Sequence, residues 1–228
     1  MEHADAFDSA GFAIVPAVLA PLEVRELNAN VDCLQSSSAG SRNLLILSWC
    51  GETVAKLRRH SMLAKYVPPG HVSVQCTLFE KDADRNWLVP FHQDLSIPVR
   101  RRVAEPSLTG WSEKEGTHFV HAPLTVLDEM VAVRLHLDPC GIDNGPLRVI
   151  PASHHAGRAA NFEQLKSELG ERTCLVDGGA AMVLKPLLLH ASSKANVPNR
   201  RRVLHFVFGP AALPLGLEWS STDTQLSS

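Results

Sequence analysis

Charge of one sign, paired cysteines, long apolar runs and repeats are all scarce in this 228-residue chain, and each scarcity removes a class of function. Its 22 Lys and Arg against 24 Asp and Glu leave a net charge of −2. That balance argues against a protein that grips nucleic acid by neutralising phosphates. The five cysteines, Cys33, Cys50, Cys76, Cys140 and Cys174, are odd in number, scattered and never in a CxxC pair. They read as reduced thiols of a cytoplasmic protein, not as a disulfide frame or a zinc knot. The longest apolar stretches, such as Ala180–Leu184 and Leu187–Leu189, fall far short of the roughly 20 residues that cross a bilayer, so no membrane partner is expected. The opening MEHADAFDSAG is acidic and carries no basic region before an apolar run, so no signal peptide is expected. There is no internal repeat and no low-complexity tract. What remains is a hydrophobic content of 45%, ordinary for a globular chain with a core, in a length that suits one domain over residues 1–228.

Periodicity divides the chain at about residue 70. Before it the pattern is helical. Pro21 opens a stretch with Leu22, Leu27, Val31 and Leu34 at helical spacing, fading into a loop at Ser36-Ser37-Ser38-Ala39-Gly40. A second helix is expected over 52–66, stopped by Pro68-Pro69-Gly70. From 71 to about 210 the period becomes two. Val72, Val74, Cys76 and Leu78 alternate with His71, Ser73, Gln75 and Thr77. Residues 131–137 and 201–208 alternate likewise, the latter with Arg201, Val203, His205 and Val207 on one face. LRVIP follows a turn at Asp143-Asn144-Gly145-Pro146, and AMVLK follows Asp177-Gly178-Gly179. A short helix from Asn161 to Leu169 is expected, capped by Asn161, with Gln164 completing a capping box and Gly170 ending it. Residues 95–129, rich in Arg, Pro, Trp and Gly, read as a long loop covering the site. Short strands with Gly/Pro turns behind helices predict a mainly β protein with flanking helices, a jelly-roll barrel whose polar strand faces turn inward around a ligand.

His92-Gln93-Asp94 places an imidazole and a carboxylate on one face of an extended segment. His190, in PLLLHAS, supplies a third ligand from far along the chain. Two His and one carboxylate make the facial triad of non-heme Fe(II) oxygenases, which leaves metal positions open for a chelating co-substrate and O2. The same three residues also suit a zinc hydrolase with one open position, and the bland reading is a surface His-Asp pair plus an unrelated histidine. After His190 come Ser192 and Arg201. A dicarboxylate such as 2-oxoglutarate, chelating iron through its keto-acid end, needs a buried cation for its far carboxylate. An Arg offers two parallel hydrogen bonds and a serine hydroxyl adds one. Arg200 and Arg202, on either side of Arg201, read as solvated charges.

At FHQDLSIP, LDPCGIDNGPLRVIPASHHAG and PLLLHASSKANVPNRRRVL the chain resembles the phytanoyl-CoA dioxygenase family, which includes the ectoine hydroxylases. These segments lie in order over about residues 70–208, and FDSAGFAIVPAVLAPLEVREL resembles the family's helical start. The resemblance implies a double-stranded β-helix with a helical part at about 1–70 and a barrel core at about 71–210. It implies Fe(II) held by His92, Asp94 and His190, with 2-oxoglutarate bound by Arg201 and Ser192. Gln75 matches a co-substrate-contacting Gln of ectoine hydroxylases. Where those enzymes carry Asn four residues later, this chain has Phe79, so one polar contact is absent. Halogenating relatives replace the metal carboxylate with a small residue; Asp94 is intact, which points to hydroxylation of a small molecule, with succinate and CO2 as co-products.

Several further residues have two readings each. Arg134 and His136 share a strand face and either contact substrate or form an internal salt bridge. Trp111 and His118, in the long loop, either touch substrate or pack the cover. His154-His155 read as loop histidines with structural hydrogen bonds, and His205 either orients a neighbour or packs the core. Arg100-Arg101-Arg102 either attracts an anionic substrate or is a solvated face. A non-catalytic ligand-binding barrel is the third class of function, alongside the oxygenase and the zinc hydrolase. Neither the substrate nor the oligomeric state is legible.

Overall fold

The alternating segments become strands of three antiparallel sheets, and the helical segments cover the largest of them. The computed structural model describes residues 2–34, 42–197 and 199–222. The loop expected at Ser36–Gly40 lies outside these. From the amino end come α1 (Glu2–Ala10), β1 (Phe12–Val15), α2 (Pro21–Asp32) and α3 (Ser48–Arg59). Then follow β2 (His71–Lys81), β3 (Val89–His92), β4 (Ser96–Val99), β5 (Ser112–Lys114), β6 (Thr117–His121), α4 (Leu124–Glu129), β7 (Val131–His136) and β8 (Leu147–Val149). The chain continues with α5 (Phe162–Leu169), β9 (Arg172–Cys174), β10 (Ala181–Leu184), β11 (His190–Ser192) and β12 (Arg201–Pro210). The major sheet runs β1-β10-β7-β12-β2, the minor sheet β3-β11-β8-β9 and a third sheet β4-β6-β5. These antiparallel sheets make the expected mainly β jelly roll with flanking helices, without closing into one hydrogen-bonded barrel. No helix among the described residues is long and apolar enough to cross a membrane.

The helices do one job. Leu27 and Val31 of α2 and Cys50, Val54 and Leu57 of α3 join Leu78, Val133, Leu135, Leu204 and Phe206 in one buried cluster on the outer face of the major sheet. That burial fixes which strand face looks outward, because a slip of one residue would exchange the two faces. Leu22, expected on the buried stripe, is 57% exposed. The second helix begins at Ser48, ahead of the expected 52, because the buried stripe Cys50, Thr53/Val54, Leu57 starts there. It ends at Arg59, and the chain reaches Pro68 through a 3-10 turn over Leu63–Lys65.

Residues 95–129 are not a structureless cover but the third sheet and α4. The β5–β6 hairpin turns at Glu115-Gly116, both with positive φ (50° and 73°). Such two-residue turns match the twist of paired strands. Glu is a rare occupant of that backbone region, and Pro98 sits inside β4, so neither strand signal was plain in the sequence. In α5, the Asn161 side chain accepts from the Gln164 backbone N–H at 3.1 Å as expected. The Gln164 amide donates forward to Glu168 instead, so the capping box is not formed.

Candidate metal and co-substrate site

A cavity of about 350 Å³ is lined by residues of all three sheets. Its polar wall is the inner face of the major sheet: Gln75, Thr77, Phe79 and Lys81 of β2, Arg201, His205 and Val207 of β12, and Arg134 of β7. The polar members of these period-two patterns thus face the ligand space.

At one end stand His92, Asp94 and His190, whose ligand atoms all lie within 4.8 Å of one another. Antiparallel pairing of β3 with β11 sets His190 directly across from His92, which brings the distant ligand to the motif. Each imidazole presents its Nδ1 to a backbone carbonyl at 2.9 Å, His92 to Pro90 and His190 to Leu188. Donating Nδ1–H there fixes the tautomer and leaves Nε2 as the free donor pair for a metal. The His92 and His190 Nε2 atoms lie 3.8 and 3.6 Å from the Asp94 carboxylate oxygens. Gln93 points the other way and pins the motif. Its amide donates to Gly157 O and Leu187 O and accepts from Ala159 N–H, while Asp94 N–H donates to Pro186 O. Burial pushes the His190 pKa down to about 4, partly offset by Asp94, so the ring is neutral and available near neutral pH. The Asp94 side chain opens on the cavity, where desolvation alone would raise its carboxyl, but facing His190, His205, His92 and Arg134 hold it below the usual carboxylate range.

The far end is cationic. Arg201 is 3% exposed, and its Nη1 donates to Gly145 O. Ser192 Oγ lies 3.2 Å from the same carbonyl. Lys81, 1% exposed, donates to Ser192 Oγ at 2.9 Å and to Ser193 O. Arg134 reaches His205 Nδ1 at 3.3 Å and lies over the Phe79 ring at 5.2 Å. The Nε atoms of Arg201 and Arg134 are buried without a hydrogen-bond partner. Burial and then Arg201 lower the Arg134 pKa to about 10; burial and then Arg134 lower His205 to about 3. Among the described residues no carboxylate pairs with Lys81, Arg134 or Arg201. Buried cations with orphaned guanidinium N–H groups, together with a His pair and a carboxylate clustered at the metal position, fit a chelating dicarboxylate and a divalent metal.

Arg200 is exposed as expected, though ion-paired, whereas Arg202 is buried and not the solvated charge expected. On the outer face, Arg202 pairs with Asp138 and Asp32, and Arg200 with Glu80 and Asp32. Gln75 does line the cavity, its amide donating to Thr77 Oγ1 at 2.8 Å. His136 is buried on β7 but does not line the cavity; burial, then Arg134 and Arg201, hold its pKa well below the usual histidine range. Trp111 is also away from the cavity, packed in the apolar cluster of the third sheet with Arg102 over its ring. His118 faces Glu113, His154 bonds Asp8 O, and Arg100 and Arg101 pair with Glu218 at the surface. The residue missed from sequence is Lys81. The period-two count that selects Gln75 and Thr77 reaches Phe79 and then Lys81, so a signal was present.

A profile of the family described as Phytanoyl-CoA dioxygenase (PhyH) matches residues 7–203. No curated protein matches the chain by sequence. Among solved structures, HygX from Streptomyces hygroscopicus, with nickel, 2-oxoglutarate and hygromycin B bound, aligns with TM-score 0.65 at 17% identity, covering 99% of this chain and 98% of that one. EctD from S. alaskensis, in its apoform, aligns with TM-score 0.68 at 17% identity, covering 92% and 76%. SnoN, a non-heme alpha-ketoglutarate-dependent epimerase from nogalamycin biosynthesis, aligns with TM-score 0.65 at 14% identity, covering 91% and 81%. At such identities the likeness is one of fold.

Proposed function

The chain belongs to the phytanoyl-CoA dioxygenase family, and from that premise we propose that it is an Fe(II)- and 2-oxoglutarate-dependent dioxygenase hydroxylating a C–H bond of a small molecule. One catalytic unit would span residues 1–228, the part before about 70 backing the sheet that carries the site. The single observation behind this reading is the cavity's polarity: three clustered metal-ligating atoms at one end, cations without carboxylates at the other. Iron would be held by His92, Asp94 and His190. When bound with 2-oxoglutarate and O2, it supplies an oxidative decarboxylation that yields succinate, CO2 and an oxidant able to attack an unactivated C–H bond.

The residues of the chain do the remainder. Nδ1–H bonds to Pro90 O and Leu188 O hold both imidazoles with Nε2 toward the metal position. Arg201 and Ser192 receive the far carboxylate of the co-substrate, and Gln75 turns its amide from Thr77 to the keto-acid end. Arg134 is the best-placed substrate contact: it lines the cavity and keeps an unpaired N–H. Ile97, Pro98 and Phe119 of the third sheet give the opposite wall an apolar surface that restricts water around the reacting carbon. A cavity of about 350 Å³ suits a small free substrate. HygX, solved with hygromycin B, is a neighbour of that kind.

The test is anaerobic titration of apo-protein with Fe(II) and then 2-oxoglutarate, following the weak visible metal-to-ligand charge-transfer band. The expected result is a band that vanishes in Asp94→Ala and weakens in Arg201→Ala, which justifies a substrate screen by succinate release. Tight zinc binding with no band would overturn the reading in favour of a hydrolase. No metal binding at all would leave a non-catalytic ligand-binding protein.

A further inference from the structure

We propose that Lys81 is a second cation of the co-substrate clamp and that, with Arg201, it makes the site selective for a dicarboxylate over a 2-oxo monocarboxylate. This rests on the functional reading above. In the pairing of β2 with β12, Lys81 stands directly opposite Arg201. Like charges directly opposite on neighbouring strands destabilise a sheet, and both are sealed from solvent, Lys81 1% and Arg201 3% exposed. A buried lysine kept for structure normally carries a carboxylate partner. Among the described residues Lys81 has none. Glu80, its neighbour in sequence, faces the other side of the sheet and pairs with Arg200 and Arg85.

The local geometry suits an anion. Lys81 Nζ donates to Ser192 Oγ and to Ser193 O, lies over the Trp87 ring at 5.4 Å, and lines the cavity. Ser192 Oγ and Arg201 Nη1 both converge on Gly145 O. Gly145 itself has φ +69°, and a Cβ there would lie 2.7 Å from Ser193 O and 3.4 Å from Lys81 Nζ. The backbone is therefore drawn in around the ammonium group. A carboxylate placed between Lys81 and Arg201 would relieve their repulsion, accept from the unpartnered guanidinium Nε–H, and accept from Ser192 once its hydroxyl turns from Gly145 O. Arg201 contributes a fork and Lys81 a point charge, so the two demand a full carboxylate. A keto acid ending in a methyl group offers nothing to either.

The test uses calorimetry on anaerobic Fe(II)-loaded protein with two probes, 2-oxoglutarate and 2-oxobutyrate. In Lys81→Met the 2-oxoglutarate Kd is expected to rise about 30-fold. 2-Oxobutyrate, already weak, should change by less than about 2-fold, because it never engages Lys81. Lys81→Arg should recover most of the 2-oxoglutarate affinity. Fe(II) stoichiometry should stay unchanged throughout. Equal losses for both probes would mean that Lys81 only supports the fold, and an unchanged 2-oxoglutarate Kd would mean that Arg201 acts alone; either overturns the proposal. If Lys81→Met fails to fold, Lys81→Gln keeps an N–H for Ser193 O and carries the same comparison. Failure of the wild type to bind 2-oxoglutarate would instead refute the oxygenase reading, and this inference with it.

Discussion

The two ends of the cavity are built from different kinds of strand. His92 and His190 stand on strands of four and three residues, and the His92 and Asp94 side chains keep 39% and 42% of their surface accessible. Lys81 and Arg201 stand at the ends of strands of 11 and 10 residues and are sealed. The difference follows from what each end has to do. A metal position must be reached by substrate and O2, so His92 and Asp94 stand at the open edge strand of the minor sheet and its continuation, while His190 on the neighbouring strand is buried behind them; both imidazoles are oriented by hydrogen bonds to backbone. An anchor for a carboxylate gains from dryness, because charge pairing strengthens as the local dielectric falls. Long strands packed under helices provide that dryness.

The largest effect should break the open end alone. Asp94→Ala removes the only carboxylate of the triad. Turnover, read as succinate release, should fall by at least about 1,000-fold and Fe(II) stoichiometry to near zero. Because Asp94 is accessible and its backbone N–H remains bonded to Pro186 O, the melting temperature should shift little. Unfolding of this variant would mean that the two ends are not independent. Next comes the sealed end. Arg201→Met replaces a buried cation by an apolar chain of similar length and takes a like charge away from Lys81. We expect 2-oxoglutarate affinity to fall about 100-fold, with Fe(II) binding intact and stability held within about 1 kcal/mol. Calorimetry and a melt on the same sample check both halves.

Gly145→Ala sharpens the comparison from the backbone side. At φ +69°, with Ser193 O 2.7 Å from the new methyl group, alanine must displace the segment that holds the Lys81 and Arg201 contacts. A destabilisation of about 2 kcal/mol in denaturant unfolding is expected, with weaker 2-oxoglutarate binding and unchanged Fe(II) affinity.

The same contrast explains what the sequence disclosed. His92 and Asp94 are legible because two ligands at the end of a short strand and just past it must sit two residues apart to share one side, a constraint local enough to print a motif. His190 becomes legible through the segment around it. The cationic end depends on register: Lys81 meets Arg201 only because β2 and β12 pair in one particular alignment, and no local pattern encodes that. The polar strand faces pointed to a ligand space, yet they did not say which charges the outer face would keep. Arg200 and Arg202 found Asp32, Glu80 and Asp138 there, partners that lie far away in sequence. The third sheet was hidden for another reason. Its strands are short, one contains Pro98, and its hairpin turns on Glu115-Gly116 instead of a common turn pair.

The smallest expected effect concerns Gln93, the middle residue of the metal motif. Its side chain faces away from the metal position and ties three backbone groups together: Gly157 O, Leu187 O and Ala159 N–H. Leu187 lies in the run leading to His190, so one amide couples the segment carrying His92 and Asp94 to the segment carrying the third ligand. Gln93→Ala leaves every candidate ligand in place but frees their relative position. Supporting contacts of this kind are worth about 10- to 100-fold in metal affinity. We expect the low end, about 10-fold in the Fe(II) dissociation constant, because the Nδ1 bonds of His92 and His190 and the Asp94 N–H bond to Pro186 O remain. The 2-oxoglutarate affinity of the iron-saturated variant should stay within about 2-fold of wild type, since the Gln93 side chain bonds Gly157, Leu187 and Ala159 and not the residues that hold Lys81 and Arg201. A loss of co-substrate affinity as large as the loss of iron affinity would show that the open end and the sealed end move as one unit.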